Sequence, residues 1–226
     1  MSTLTPGISA LQLQRQMGIG SYRTALNLCR RLRRAMVNPM REPLNGVIEL
    51  DDTYVGGAEK GVMGRRTKTK KIVVVGVENR GDHAGRVRIQ HLPALSWKLI
   101  RQFATANIAP GSEVRTDGVS FYVYGDWSAL GLHHKPRVQE TPERAGRILP
   151  WVHQVIGNLD TWLRGTHHSR MEAKHFQEYL DEYTFRFNRR GYREHAFLTL
   201  LILATKRRRL GALIGSEPVL QGRSSA

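Results

Sequence analysis

Three aspartates in this sequence follow apolar, strand-like residues, where their carboxylates could hold a metal ion. Asp51 and Asp52 lie within VIELDDTYVGG, and Asp117 ends the segment EVRTD before Gly118. Side chains alternate across a strand, so Asp51 and Asp52 point to opposite faces. Carboxylates that meet at the ends of neighbouring strands suit Mg²⁺, and two such ions about 4 Å apart can promote phosphodiester chemistry. The alternative is that Asp117 only caps a turn, because Asp-Gly is a common turn pair.

The residues around these acids predict a mixed α/β domain. Runs of β-branched residues indicate strands, and apolar residues at helical spacing indicate helices. The predicted strands are Val47–Val55, Lys71–Glu78, Arg86–Leu92 and Glu113–Thr116. The predicted helices are Leu95–Ala106, Pro150–Arg164, Met171–Arg189 and His195–Leu210, with a helix or turn at Val119–Leu130. The first two acids therefore lie on the first strand, and Asp117 directly follows the fourth.

Residues 8–36 predict two helices that are separated at Gly18-Ile19-Gly20, with Ser21 as N-cap of the second. Small and apolar residues of the second helix repeat at helical spacing: Ala25, Leu28, Cys29, Leu32 and Met36. The opposite face carries Arg23, Arg30, Arg31, Arg33 and Arg34. This pattern is typical of a helix-turn-helix that binds DNA, and an αα-hairpin with a solvated basic face is the alternative.

The domain prediction has four parts. Residues 1–37 form the helix-turn-helix segment and residues 38–46, which hold two prolines and a glycine, form a linker. The α/β domain spans residues 47–206, and residues 207–226 form a loose basic tail.

The charge of the chain indicates a polyanionic partner. Thirty-five Lys and Arg against nineteen Asp and Glu give a formal net charge of +16. Such an excess favours nucleic acid, although an RNA binder of the ribosomal type or a merely basic protein would share it. Two basic segments outside the second helix are predicted to contact the DNA backbone, with a solvated hairpin tip and a helix C-terminus as their structural alternatives. The predicted DNA-binding residues are Arg23, Arg30, Arg34, Lys60, Arg65, Arg66, Lys68, Lys70, Arg186, Arg189 and Arg190.

One cysteine, Cys29, excludes an intramolecular disulfide and a Cys-rich zinc module within this sequence. The N-terminal residues lack the apolar run of a signal peptide, and no run reaches the ~18 apolar residues of a membrane span. We therefore expect a cytoplasmic protein that does not enter a membrane.

Several motifs together resemble the DDE transposases of bacterial insertion sequences, in the ISXO-like branch. They are LDDTYVGG, KKIVVVGVE, VRTDG and RGTHHSRMEAKHFQEYLDEYTFRFNRR, and the upstream GISALQLQRQMGIGSYRTALNLCRRLRRAM is similar to the family's helix-turn-helix. The resemblance covers roughly residues 7–206. It implies an RNase-H-like fold, dependence on Mg²⁺ or Mn²⁺ in a two-metal site, and recognition of an element's inverted terminal repeats.

The family's first acid falls on Asp51, the acid or amide beside it on Asp52, and the second acid on Asp117. The third position, often Glu in the family, falls on His153, after 35 intervening residues. A His can ligate a transition metal through one nitrogen but offers Mg²⁺ no carboxylate. The alternative for His153 is an ordinary helix histidine. Further candidates near the site are Asn158, Arg164 and His168, and Asp160 departs from the family's basic residue.

The resemblance implies cleavage of DNA at the element ends, followed by strand transfer to target DNA. Synapsis of two ends implies a homodimer or higher assembly. Members of this branch often carry a zinc ribbon before the helix-turn-helix, which this sequence is expected to lack. A catalytically inactive DNA-binding remnant and an RNase-H-like nuclease that cleaves without joining are the alternatives.

Overall fold

The computed structural model describes residues 7–56, 70–137, 148–167 and 173–214. The strands are β1 (Val47–Val55), β2 (Lys71–Asn79), β3 (Ala84–Leu92), β4 (Glu113–Asp117) and β5 (His133–Arg137). The helices are α1 (Ala10–Gln16), α2 (Tyr22–Ala35), α3 (Trp97–Asn107), α4 (Ser120–Val123), α5 (Pro150–His167), α6 (Ala173–Phe187) and α7 (Arg193–Ile214), with a 3₁₀ turn at Ser128–Leu130.

The five strands form one mixed sheet in the order β3-β2-β1-β4-β5. Strands β1, β2 and β3 are antiparallel neighbours, whereas β4 and β5 run parallel to β1. This arrangement confirms the predicted α/β class with an RNase-H-like core. Strand β5 was not predicted, because His133–Arg137 is an exposed edge strand with a proline and no apolar alternation.

Each face of the sheet buries a separate core. On one face, valines of β2 and β3 pack against apolar residues of α5 and α6, including Val155, Leu159, Phe176 and Leu180. On the other face, α3 and the segment that follows β4 cover β1, with Phe103, Tyr122 and Trp127 in the centre. Strand β2 is buried on both faces, which explains its continuous run of valines.

Helix α6 covers the free edge of β3 with two side-chain amides. Asn188 accepts a hydrogen bond from the amide of Val87 at 2.7 Å and donates to the carbonyl of Val87 at 3.1 Å. The side chain of Gln177 accepts a hydrogen bond from the backbone amide of His91 and donates one to the backbone carbonyl of Ile89. These amides satisfy backbone groups that an edge strand would otherwise expose to pairing with another chain.

The two N-terminal helices agree with the prediction, and α2 packs against α6 and α7. The prediction that Arg33 lies on the solvated basic face was wrong, since its side chain is 2% exposed and forms a 2.7 Å ion pair with Glu182. Its guanidinium also lies over the ring of Tyr179. Leu28, predicted for the buried face, is instead 39% exposed.

Two segments are more ordered than the sequence predicted. In the predicted linker, Leu44 is fully buried and exchanges backbone hydrogen bonds with Asn107 and Ala109 beyond α3. Helix α7 continues to Ile214, so the predicted loose tail does not begin at residue 207.

Within the described residues, none of the helices is long and apolar enough to span a membrane.

Glu78 should make the stability of the fold depend on pH in the acid range. Burial would raise the pKa of this carboxyl, but hydrogen bonds from Arg86, Asn45 and Arg80 outweigh it and lower the pKa from 4.5 to about 2. A lowered folded-state pKa stabilises the protein above pH 4.5, and the contribution is lost as the pH falls towards 2. In urea denaturation across this range, Glu78→Gln should be less stable at pH 6 and should lose less stability on acidification. Parallel pH profiles for the two proteins would contradict this role.

Candidate active site

Asp51 and Asp117 lie on neighbouring parallel strands, β1 and β4. The paired register of β1 and β4 ends at Glu49 and Arg115, and Asp51 and Asp117 each follow two residues later on their strands. Neighbouring strands are about 4.8 Å apart, and residues at even spacing share a face, so both carboxylates extend from the same side of the sheet. Asp117 Oδ1 also accepts a 3.3 Å hydrogen bond from the Val119 amide, which is the contact that the turn-capping alternative predicts.

Asp52 projects from the opposite face, as the strand alternation predicts. Its Oδ1 accepts a hydrogen bond from the hydroxyl of Tyr122 at 3.2 Å, and its amide donates to Oδ1 of Asp51. Burial, followed by the charges of Asp52, Asp51 and Asp117, raises the pKa of Tyr122 well above its usual value. Tyr122 was not predicted as a site residue; it follows Asp117 closely, but in an aromatic segment that is equally typical of a core.

His153 lies beside the first acid. Helix α5 carries it so that Nε2 is 3.2 Å from Oδ2 of Asp51. The hydrogen bond to Asp51 raises the pKa of His153, burial opposes this, and the charges of Asp51, Glu49 and Asp117 raise it further. The structure therefore brings together His153 and Asp51, with Asp117 near enough to act on the imidazole electrostatically.

Glu49 fixes the start of the helix that carries His153. This carboxylate is 1% exposed, and its Oε2 accepts hydrogen bonds from the amides of Trp151 and Val152 at 2.8 and 2.9 Å. Its Oε1 accepts a third from the side-chain amide of Asn79 at 2.7 Å. A carboxylate at a helix N-terminus satisfies unpaired amides and interacts favourably with the helix dipole. Glu49 therefore positions α5, and with it His153, against the strand that carries Asp51.

The donor set fits a divalent cation only in part. Asp51 and Asp117 offer the carboxylate oxygens that Mg²⁺ and Mn²⁺ prefer, and the imidazole of His153 suits Mn²⁺ better than Mg²⁺. Among the described residues, no three His, Cys, Asp or Glu side chains form a group able to hold a metal ion. The buried Glu49 is engaged with α5, so it does not replace the missing third carboxylate.

The remaining candidates are Arg164, Asn158 and His168, and the structure describes the first two. Arg164 forms a bidentate contact with Asp160 on the exposed side of α5, with atoms 2.7 and 3.0 Å apart. It lies eleven residues beyond His153, which corresponds to about 16 Å along a helix. Asn158 is exposed on the same helix, and His168 lies outside the described residues.

The predicted DNA-binding residues divide into exposed, engaged and undescribed groups. Arg23 is exposed and Arg30 is half-buried on α2, whereas Arg34 pairs with Glu178 at 2.9 Å. Lys70 is half-buried next to β2, while Lys60, Arg65, Arg66 and Lys68 lie outside the described residues.

The arginines at the end of α6 make contacts within the fold. Arg186 is 13% exposed beside Glu182, and Arg189 and Arg190 stack on Phe185 and Phe187. Arg189 and Arg190 also donate hydrogen bonds to carbonyls of α6, so the structural alternative accounts for much of this segment.

Glu49→Gln should loosen the start of α5. The substitution removes the charge at the helix N-terminus and leaves one of the three donors poorly satisfied, so we expect the free energy of unfolding to fall by about 1–2 kcal/mol. Amide hydrogen exchange at Trp151 and Val152 should accelerate. Glu113→Gln is the matched control, because Glu113 on β4 pairs with Arg115 of the same strand and with Lys135 of β5, and not with helix amides. Equal exchange at Trp151 in the two variants would contradict the positioning role.

Comparison with known proteins agrees with the family that the motifs suggested. Residues 43–188, more than half of the chain, match the ISXO2-like transposase domain. No curated protein matches the chain. One similar solved structure is the simian T-cell lymphotropic virus intasome in complex with the PP2A regulatory subunit B56 gamma. The two chains share 12% sequence identity with a TM-score of 0.41, and the match covers 78% of this chain and 67% of the other. Another is the Mos1 strand transfer complex, with 10% sequence identity and a TM-score of 0.38. That match covers 88% of this chain and 75% of the Mos1 chain. The extent of the domain match shows that the chain belongs to the ISXO2-like transposase family.

Proposed function

We propose that this chain cleaves DNA at the ends of an insertion sequence and transfers the released strand ends to target DNA. The observation that carries the proposal is that Asp51 and Asp117 follow the paired part of β1 and β4 at equal spacing, so that both share one face of the sheet within the matched transposase domain. Two carboxylates at this spacing repel each other and a phosphodiester, which makes them costly unless a cation neutralises them. The pair is therefore best explained as the base of a divalent cation site.

Asp51 and Asp117 would hold the divalent cation, Mg²⁺ or Mn²⁺, through their carboxylate oxygens. The cation, when bound, supplies the positive charge that stabilises the phosphoryl group undergoing attack. The chain's own contribution is to hold the carboxylates on rigid strands, so that the phosphodiester is oriented before reaction. Asp52 and Tyr122 support β1 on the opposite face of the sheet, where the Tyr122 hydroxyl donates a hydrogen bond to Asp52.

Double-stranded DNA, as element ends and as target, is the proposed partner. The excess of 35 Lys and Arg over 19 Asp and Glu supports it, as does the exposed N-terminal half of α2, where Tyr22 is 50% exposed beside Arg23. The N-terminal residues of a recognition helix are those that reach base edges in a helix-turn-helix. Joining two ends in one reaction implies that at least two copies of the chain assemble on DNA.

His153 is proposed as the third ligand, through the Nε2 that already lies 3.2 Å from Asp51; a proton carrier is the alternative. His153→Glu separates the two roles, because glutamate can bind a cation but cannot replace an imidazole as proton carrier at neutral pH. If His153 is a ligand, His153→Glu should match or exceed the wild-type cleavage rate in Mg²⁺, whereas His153→Ala should be about 10- to 100-fold slower. Equal losses in both variants would contradict the ligand role.

The proposed function is tested with duplexes that carry the inverted repeats flanking the gene, incubated with Mg²⁺ or Mn²⁺. Cation-dependent cleavage followed by joining to a second DNA supports the transposase. Cleavage without joining indicates the nuclease, and binding without cleavage under either metal indicates the DNA-binding remnant. The remnant is the second candidate, because no three-ligand metal group forms among the described residues.

A further inference from the structure

A cavity of about 410 Å³ lies at the β3 edge of the sheet, two strands away from β1. Its walls come from the segment after α2, from β3, and from the last two turns of α6. Four arginines line it: Arg41, Arg86, Arg88 and Arg189. None of the residues proposed for cleavage reaches this cavity, so its role is separate from the candidate active site.

Among the described residues, three of the four arginines have no carboxylate partner. Arg86 is neutralised by Glu78 at 2.7 Å and Glu42 at 3.1 Å. In contrast, Arg41 donates to the amide oxygen of Asn107, and Arg189 donates to a backbone carbonyl. In the part of the chain that the structure describes, neither of these nor Arg88 forms an ion pair. Glu42 and Asp181 also line the cavity, but they bond to Arg86 and Gln177.

Arg88 is the residue that most requires an anion. Its side chain is buried, with the residue 5% exposed, and its two terminal nitrogens donate to the carbonyls of Val87 and Glu42. Its Nε has no hydrogen-bond partner among the residues that the structure describes. The hydroxyl of Thr184, which is also buried and also without a partner, lies in the same cavity wall. A buried guanidinium without a counter-charge is costly, and a bound anion would remove that cost.

The surroundings hold these groups in place before any ligand arrives. Asn188 is fixed by its two hydrogen bonds to Val87, and the guanidinium of Arg189 stacks 4.0 Å from the ring centre of Phe185. Burial, together with the charges of Arg41 and Arg86, lowers the pKa of Arg88 to about 10, which still leaves it charged at neutral pH. A rigid, charged cavity binds with less loss of conformational entropy than flexible surface lysines would.

We propose that this cavity binds a phosphate group. Arginine matches tetrahedral phosphate oxygens with paired N–H donors, and a buried hydroxyl adds a further donor. The phosphate can belong to a DNA backbone that passes between α2 and the sheet edge, or to a free phosphate ion, and both sources share this chemistry. The segment after α2 supplies Arg41, so a bound phosphate would also tie the N-terminal helices to the α/β core.

The test compares wild type with Arg41→Gln and Arg88→Gln, and Arg101→Gln is the control because it removes one exposed arginine of α3 outside the cavity. Thermal unfolding is measured in inorganic phosphate and in chloride at equal ionic strength, and duplex affinity is measured over a series of salt concentrations. Arg41 is exposed, so Arg41→Gln keeps the test decisive even if Arg88→Gln fails to fold.

If the phosphate belongs to DNA, Arg41→Gln should weaken the binding of unrelated duplexes equally. It should also reduce the slope of log K against log salt concentration by about one, and Arg101→Gln should have a smaller effect on both. If it is free phosphate, the wild-type Tm should rise in phosphate, and only the cavity variants should lose that rise. The proposal is overturned if Arg41→Gln behaves like Arg101→Gln in both the phosphate response and the DNA salt slope.

Discussion

Asp117→Asn should lower the rate of cation-dependent DNA cleavage at least about a thousandfold, and Asp51→Asn should do the same. Each substitution removes one of two carboxylates that would hold the cation, and several kcal/mol of transition-state stabilisation corresponds to a factor of this size. Asparagine keeps the shape of the side chain and an oxygen that can still accept from the Val119 amide. The fold should therefore remain intact, and duplex affinity in the absence of divalent cations should not fall.

Asp82→Asn is the matched control for both variants. Asp82 is an exposed acid in the turn between β2 and β3, and it pairs only with the adjacent His83 within the described residues. Single-turnover cleavage of a labelled duplex in Mg²⁺ and in Mn²⁺ gives the rates directly. Asp117→Asn cleaving as fast as Asp82→Asn would remove Asp117 from the active site.

Arg33→Met should lower the free energy of unfolding by about 3–5 kcal/mol, because it leaves the charge of Glu182 buried without its closest partner. Glu182 is fully buried, and its next cation, Arg186, is 3.6 Å away, which places the expected loss towards the lower end of that range. Arg34→Met is the control, since Arg34 is 58% exposed and its pair with Glu178 should contribute less than about 1 kcal/mol.

The double variant Arg33→Met with Glu182→Leu distinguishes a lost ion pair from lost packing. Replacing both partners by apolar residues of similar size removes the uncompensated charge, so stability should return to near the wild-type value. Urea denaturation of the four proteins completes a double-mutant cycle. A double variant less stable than both single variants would show that packing, rather than charge, dominates at this contact.

The sequence predicted the strand positions of Asp51 and Asp117 better than the contacts of the residues around them. Asp51 and Asp117 stand at strand positions in recognisable motifs, and β1 and β4 are neighbours in the sheet. Glu49 lies on the same strand, but its role depends on amides at Trp151 and Val152, about a hundred residues away. No local pattern marks a carboxylate that caps a distant helix, so this contact could not be predicted from the residues alone.

The same limit explains the misplacement of Arg33. Helical periodicity separates apolar from charged faces, and it assigns every arginine of α2 to solvent. Glu182 on α6 reverses that assignment for one of them by providing a buried counter-charge. The cavity beside β3 is a further case, because its arginines come from the segment after α2, from β3 and from α6, which only the fold brings together.

Direct measurement of Mn²⁺ binding tests the central claim that Asp51 and Asp117 together hold a divalent cation. The wild-type protein, Asp51→Asn, Asp117→Asn and Asp82→Asn are titrated with Mn²⁺ in the absence of DNA, and free Mn²⁺ is followed by electron paramagnetic resonance. We predict that the wild type and Asp82→Asn bind Mn²⁺ with the same affinity, and that each active-site variant binds at least about tenfold more weakly. Unchanged Mn²⁺ affinity in both Asp51→Asn and Asp117→Asn would contradict the account.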